Sequence, residues 1–197
     1  MTTQTQMNPA LAFVRKVFVR VGVLPFFLAI ALVVFSILSN KFLTGQNLVN
    51  VVRQSVYLVL VSLGQMIVLI SGGFDLSVGT AIALTSVVSA MAMVWLSGIM
   101  PDAIWLVILL GAFAGFAAAA LVGLVNGIGV SYFEVSPFIM TLGVSSIAGG
   151  AALFLTGGVP VSGLPYAFAD LFGFGRLWGI PVPIIVALIC ILAMWVF

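Results

Sequence analysis

The sequence predicts an all-α fold: a polytopic transmembrane helical bundle of about six spans, with a break between the second and third helices. Three observations lead there. Of 197 residues, 64% are hydrophobic and 5% charged, against about 25% charged in a soluble domain, so there is too little polar surface to face water all round. The apolar residues fall into runs of about 20, the length that crosses a hydrocarbon core of about 30 Å. Between two of those runs stands Ser71-Gly72-Gly73-Phe74-Asp75-Leu76-Ser77-Val78-Gly79. Lipid tolerates a carboxylate, two hydroxyls and three glycines only where protein buries them, where they line a cavity, or at the interface.

Residues 1–20 read as a cytoplasmic or interfacial N-terminal segment, and 21–197 as a transmembrane domain. Leu11, Val14, Phe18 and Val21 fall at helical spacing, flanked by Arg15, Lys16 and Arg20. That pattern suits a short helix lying on an anionic leaflet. The run from Val21 to Leu38 is longer than a signal-peptide core, and no small-x-small site follows at Ser39-Asn40-Lys41, so it reads as an uncleaved span. The spans are drawn at 20–39, 50–71, 77–99, 103–125, 138–155 and 180–197. Turns between them are short except for 156–179, which is rich in Gly and Pro.

Trp95 and Trp105 around Met100-Pro101-Asp102, with Trp178, mark one interface, and Trp195 the other. The first-span cations place the N-terminus in the cytoplasm, and six spans return the C-terminus there. Lys41, Arg53 and Arg176 fall on the opposite side and tie the count. In the second span, Ser55 to Ile70 covers only about 24 Å at 1.5 Å per residue. The Gly72-Gly73 break therefore falls at or near the inner bilayer edge, and short, Gly-interrupted spans point to a transport site. Ser71-Gly72-Gly73 is echoed by Thr156-Gly157-Gly158 after a span of opposite direction, as in an inverted repeat or by coincidence.

Absent residue types narrow the chemistry. The chain has no histidine, and Cys190 is its single cysteine. That excludes an intrachain disulfide, a Cys/His metal cluster and an imidazole-based triad. Neither lysine, in Arg15-Lys16-Val17 or Asn40-Lys41-Phe42, sits in a phosphate-binding Gly-rich loop. The six cations and four anions form no basic patch, so nothing supports nucleic-acid binding. An enzyme or a bound cofactor is not expected. Only the isolated carboxylates Asp75, Asp102, Glu134 and Asp170 remain.

Asp75 reads as an N-cap of the third span, as an acceptor at the gate of a polar path, or as both. Gln54, Ser55, Ser62 and Gln65 project on one side of the second span. An uncharged stripe of that kind suits a neutral polyhydroxylated solute or interhelical hydrogen bonds. Gly111-x-x-x-Gly115 in the fourth span permits close helix packing. Asn126-Gly127 reads as that helix's C-terminal cap. Ser136-Pro137 starts the fifth span, with Thr141 and Gly143 one turn deeper beside a path or a neighbouring helix.

The order Gly64-Gln65-Met66, Ser71 to Gly79, Asn126-Gly127, Pro137-Phe138-Ile139-Met140-Thr141-Leu142-Gly143 and Thr156-Gly157-Gly158 resembles the permeases of bacterial ribose/xylose/galactose-type ABC importers. The related branched-chain amino-acid permeases usually carry an Asn-Phe/Leu-Ala-His-Gly element at Phe74-Asp75-Leu76-Ser77, so this histidine-free chain is similar to the sugar branch. The resemblance implies a bacterial inner-membrane permease homodimer, a separate ATP-binding subunit and a periplasmic substrate-binding protein. Together with the stripe on the second span, it leads to an expected substrate pathway among Gln54, Ser62, Gln65, Gly72, Gly73, Asp75, Ser77, Asn126, Pro137, Phe138, Thr141 and Gly143.

The family usually continues into a Gly-Arg-rich loop and further spans, so the chain is expected to be the first part of a longer permease. The turn at Ser131-Tyr132-Phe133-Glu134 lacks the basic residues common in relatives, and Gly149 stands where arginine is frequent. Two alternatives stand beside the importer reading. One is a self-contained proton-coupled secondary transporter or channel using Asp75 and Glu134. The other is a non-functional truncated fragment.

Overall fold

The computed structural model describes residue 19 and residues 22–196. The N-terminal amphipathic stripe of Leu11, Val14, Phe18 and Val21, with Arg15, Lys16 and Arg20, lies outside the described residues. The chain divides into two units, residues 1–52 and residues 53–197. In the first unit, helix α1 (Leu24–Leu38) carries a proline in its first turn and ends where Ser39 turns extended. Proline suits that position because the first helical N–H groups have no intrahelical acceptor. The following turn is held by Asn47 Nδ2, which donates to Phe42 O at 2.8 Å, and by the Phe35 and Phe42 rings at 5.7 Å.

Helix α2 (Gly45–Ile70) leads across the unit boundary into the break. Then come α3 (Val78–Ile99), α4 (Ile104–Ser131), α5 (Pro137–Thr156) and, after a longer connection, α6 (Val182–Val196). That connection holds a helical turn at Tyr166–Phe168, a wider π-type turn at Ala169–Phe174 and a hairpin pairing β1 (Arg176–Leu177) with β2 (Ile180–Pro181). Trp178 and Gly179 at its tip both have positive φ, 51° and 82°, as the tight turn that follows strand twist requires. Arg53 Nη1 donates to Gly173 O at 2.5 Å, and its guanidinium lies 5.8 Å from the Phe174 ring centre.

Helices α2 to α5 are each long and apolar enough to cross a membrane, and α1 and α6 are shorter apolar helices. The protein is therefore an all-α polytopic chain with the expected break between its second and third helices. Two boundaries differ from the sequence expectation. α2 has 26 residues, about 39 Å at 1.5 Å per residue, because Gln46, Asn47, Asn50 and Arg53 lower its hydropathy without ending the helix. α4 continues to Ser131, since Asn126-Gly127 lies inside it. Asn126 is thus an interior polar residue, not a cap.

In the second unit, α3 packs against α4 and α5, and α4 against α5. The buried face of α4 is made of Val107, Ile108, Gly111, Gly115, Asn126 and Gly129. Its bulky Leu109, Phe113, Phe116 and Leu121 face outward, 62–72% exposed. Lipid solvates bulky apolar groups as well as protein does, so close backbone approach between small residues, not apolar burial, drives the packing. A side chain at Gly111 would overlap Met93, and one at Gly129 would overlap Met140. A Cβ at Gly115 would stand 2.9 Å from Ser89 Cβ and 3.1 Å from Thr85 O, so the Gly111–Gly115 pair is the α3–α4 contact. Met93, Val107 and Ile108 form the apolar core beside it.

Gly115→Val is expected to cost about 2 kcal/mol through overpacking at this crossing. Gly123→Ala, where an added Cβ meets nothing within 4 Å, should be neutral or stabilising by up to about 1 kcal/mol through helix propensity. Thermal unfolding of the detergent-solubilised variants checks the contrast.

Candidate functional site

The break begins with a left-handed helix ending. Gly72 has φ 79°, Gly73 N–H donates to Val68 O at 2.9 Å, and Gly72 N–H to Leu69 O at 3.0 Å. Those two bonds satisfy carbonyls that the last helical turn would otherwise leave orphaned, and only glycine adopts that conformation without steric cost. The same ending recurs at Thr156-Gly157-Gly158. There Gly158 N–H donates to Leu153 O at 3.1 Å and Gly157 N–H to Phe154 O at 3.4 Å, with φ 61° and 76° at the glycines. The likeness of the two segments thus extends to their cap bonds. It stops at Asp75, whose counterpart is Pro160.

The chain then crosses to α3 through a side-chain relay. Asp75 Oδ1 accepts Ser77 N–H at 2.7 Å and the Ser77 hydroxyl at 2.6 Å. Asn126 Nδ2, from α4, donates to Ser77 Oγ at 2.8 Å. Ser77, which occupies the N-cap position of α3, makes no side-chain bond to the helix. Asp75 accordingly tightens the turn two residues before the helix and does not cap α3 directly. Ser77 and Asn126 are 1% and 8% exposed.

Two further helices hold the break. Thr141 Oγ1, on α5, accepts Leu76 N–H at 3.1 Å while donating to Pro137 O at 2.7 Å. Gln65 Nε2, on α2, donates to Asp75 O at 3.2 Å. One turn into α3, Thr80 Oγ1 lies 2.9 Å from Ser77 O and 3.1 Å from Ser145 Oγ.

Three cavities follow α3 from this point. The first, about 290 Å³, lies among Ser71, Gly73, Asp75, Asn126, Pro137 and Thr141. The second, about 500 Å³, runs between α3 and α4 and shares Asp75, Gly123 and Asn126 with the first. The third, about 480 Å³, shares Ser86 and Ser89 with the second and reaches Thr156 and Gly158 at the other left-handed ending. Along α3 from Val78 to Ala90 the row covers about 18 Å at 1.5 Å per residue. Its polar wall holds Asp75, the N-cap Ser77 and Asn126 at one end, Thr85, Ser86 and Ser89 on α3, and Thr156 at the other end. Among the described residues no three of His, Cys, Asp and Glu cluster as a metal site would require.

The structure brings Gln65, Gly73, Asp75, Ser77, Asn126, Pro137 and Thr141 together around the break. Gly72 sits in its cap. Gln54 and Ser62 lie exposed on α2 and line none of these cavities, and Ser62 Oγ bonds its own helix at Leu58 O, 2.7 Å away. Phe138 is 56% exposed, and Gly143 is exposed with open space at its Cα. Thr85, Ser86 and Ser89 were not singled out from the sequence. The spacing Ser77, Ala81, Thr85, Ser89 is the signal that identifies them, because every fourth residue forms one ridge of a helix.

The model of the family described as branched-chain amino acid transport system / permease component matches residues 47–197. The D-allose transport system permease protein AlsC of Escherichia coli (strain K12) is 35% identical over 171 residues, covering 86% of this chain and 50% of that protein. The autoinducer 2 import system permease protein LsrD of Escherichia coli O9:H4 (strain HS) is 34% identical over 177 residues, with the same two coverages. The chain spans about half the length of the curated relatives it matches. No solved structure matches the chain significantly.

Thr141→Val leaves the half-buried Leu76 N–H without its acceptor, which should destabilise the protein by about 1 kcal/mol. Ser62→Ala, which removes a bond internal to α2, should stay within about 0.5 kcal/mol. Denaturation midpoints in detergent check the difference.

Proposed function

We propose, from the premise that the chain belongs to the branched-chain amino acid transport system / permease component family, that it forms the translocation pathway of an ATP-driven importer for a neutral monosaccharide. The solute is of the ribose, xylose or galactose type. The chain works with an ATP-binding subunit, a periplasmic substrate-binding protein and a second permease copy. It resides in the bacterial inner membrane with its N-terminus in the cytoplasm.

One observation carries this reading: the Asn126–Ser77–Asp75 relay, buried at Asn126 and Ser77, stands where two cavities share lining residues, at a helix break inside an apolar bundle. A break needed only for chain reversal is satisfied by its own backbone caps. This one adds side chains from α2, α4 and α5, and its relay opens onto a hydroxyl-lined row. The names of AlsC and LsrD, which specify D-allose and autoinducer 2, support a polyhydroxylated solute over an amino acid. Without a Walker-type lysine in the sequence, ATP hydrolysis falls to a separate chain.

The experiment is reconstitution of the complete importer with its ATP-binding and substrate-binding subunits in proteoliposomes. Labelled D-allose or D-ribose uptake should require ATP hydrolysis and survive a protonophore. Uptake without ATP, or its collapse when the proton gradient alone is removed, contradicts the reading. Asp75→Asn keeps an acceptor oxygen for both Ser77 donors, so membrane abundance should be unchanged. Uptake should fall by about tenfold, the effect of losing one charge-assisted hydrogen bond to the solute. Wild-type uptake by this variant would return Asp75 to a purely structural role.

A further inference from the structure

Two buried amide oxygens near the break have no hydrogen-bond donor: Asn126 Oδ1 and Gln65 Oε1. The orientation of Asn126 is dictated by its neighbours. The single Ser77 hydroxyl proton points at Asp75 Oδ1, 2.6 Å away. The Asn126 atom 2.8 Å from Ser77 Oγ must then be the donor Nδ2, which turns Oδ1 away from the relay. A buried acceptor without a partner is costly and calls for one from outside the fold. Asn126, 8% exposed, lines both cavities that share Asp75.

The chemistry of the wall selects what that partner is. Asp75 and Asn126 offer acceptors. The first-turn N–H groups of α3, which no side chain caps, offer donors aimed toward the same end. No lysine or arginine lines either cavity, so a solute carboxylate would lie near Asp75 without a counter-charge. A hydroxyl both donates and accepts, and adjacent hydroxyls satisfy both sets at once. Thr85, Ser86 and Ser89 continue the same chemistry along α3.

We propose that Asp75 and Asn126 form a solute-binding station that accepts hydrogen bonds from the hydroxyls of a neutral polyhydroxylated solute and discriminates against carboxylate-bearing ones. The station rests on the permease reading above and names the step at which that permease chooses. Gly123 supplies the reporter. It lies one helical turn from Asn126, lines both cavities, and has nothing within 4 Å of an added Cβ.

In membrane vesicles carrying the complete importer, Gly123→Cys in a Cys190→Ala background is labelled with a small hydrophilic methanethiosulfonate cation. The labelling rate is measured alone and with D-allose, D-ribose or L-leucine. The station predicts labelling, slowing by about tenfold with at least one of the sugars at a concentration about ten times its Kd, and no slowing with L-leucine. Adding Asn126→Leu should abolish the protection while labelling persists. An unlabelled cysteine, protection by neither sugar, or equal protection by L-leucine overturns the station. The protection measurement on Gly123→Cys decides even if the Asn126 variant fails to fold. ATP-driven sugar uptake in the same vesicles separates the two claims: uptake without protection sinks the station alone, and absence of uptake with every probe sinks the permease reading as well.

Discussion

An interrupted helix in hydrocarbon must find partners for every backbone group the interruption exposes, because no water is there to supply them. The second unit of this protein is arranged around that constraint. Gly72 and Gly73 satisfy the end of α2, Thr141 takes the Leu76 amide, Gln65 binds the Asp75 carbonyl, and Asp75 holds Ser77 with help from Asn126. The partners come from α2, α4 and α5, so the break can exist only where these helices converge. The small residues of α4 serve the same end: Gly111 and Gly115 bring α4 against α3, and Gly129 admits Met140 of α5.

The same arrangement leaves two buried amide oxygens near the break unpaired. Asp75 lines both cavities, and the buried Asn126 Oδ1 and Gln65 Oε1 have no protein donor. A scaffold that only reversed direction would gain from closing these groups off, since unpaired buried polar atoms cost stability. Under the proposed permease function, their persistence beside Thr85, Ser86 and Ser89 is a trade of stability for a polar route, of the kind expected where a solute passes between broken helices. The row reaches Thr156 and Gly158 of the second left-handed ending.

The sequence made the architecture legible because the membrane restricts the options. Long apolar runs can only be helices there, and the cluster at Ser71–Gly79 had to be a break. Helix lengths were less visible. The polar start of α2 and Asn126-Gly127 in α4 both look like ends, yet intrahelical bonding continues through them because tertiary contacts satisfy their side chains. Asp75, Ser77, Asn126 and Thr141, singled out in the sequence, do meet at the break, though Asn126 meets it from inside α4 and not as a cap. The stripe on α2 drew attention by the helical spacing of its amides and hydroxyls. Gln65 alone among Gln54, Ser62 and Gln65 reaches the break, since facing direction is fixed by packing that sequence spacing does not encode. The hydroxyl ridge of α3 was readable in principle from its four-residue spacing, but Ser and Thr also bond their own helix, as Thr85 does to Ala81 O at 2.7 Å.

The most direct measurement is an experimental map of the complete importer in lipid, at a resolution that shows ordered water. The predicted result is water or solute density within hydrogen-bonding distance of Asn126 Oδ1 and the Asp75 carboxylate, continuous with density along Thr85, Ser86 and Ser89. A space beside Asp75 filled by an acyl chain, or closed by protein in both inward- and outward-facing states, would contradict it.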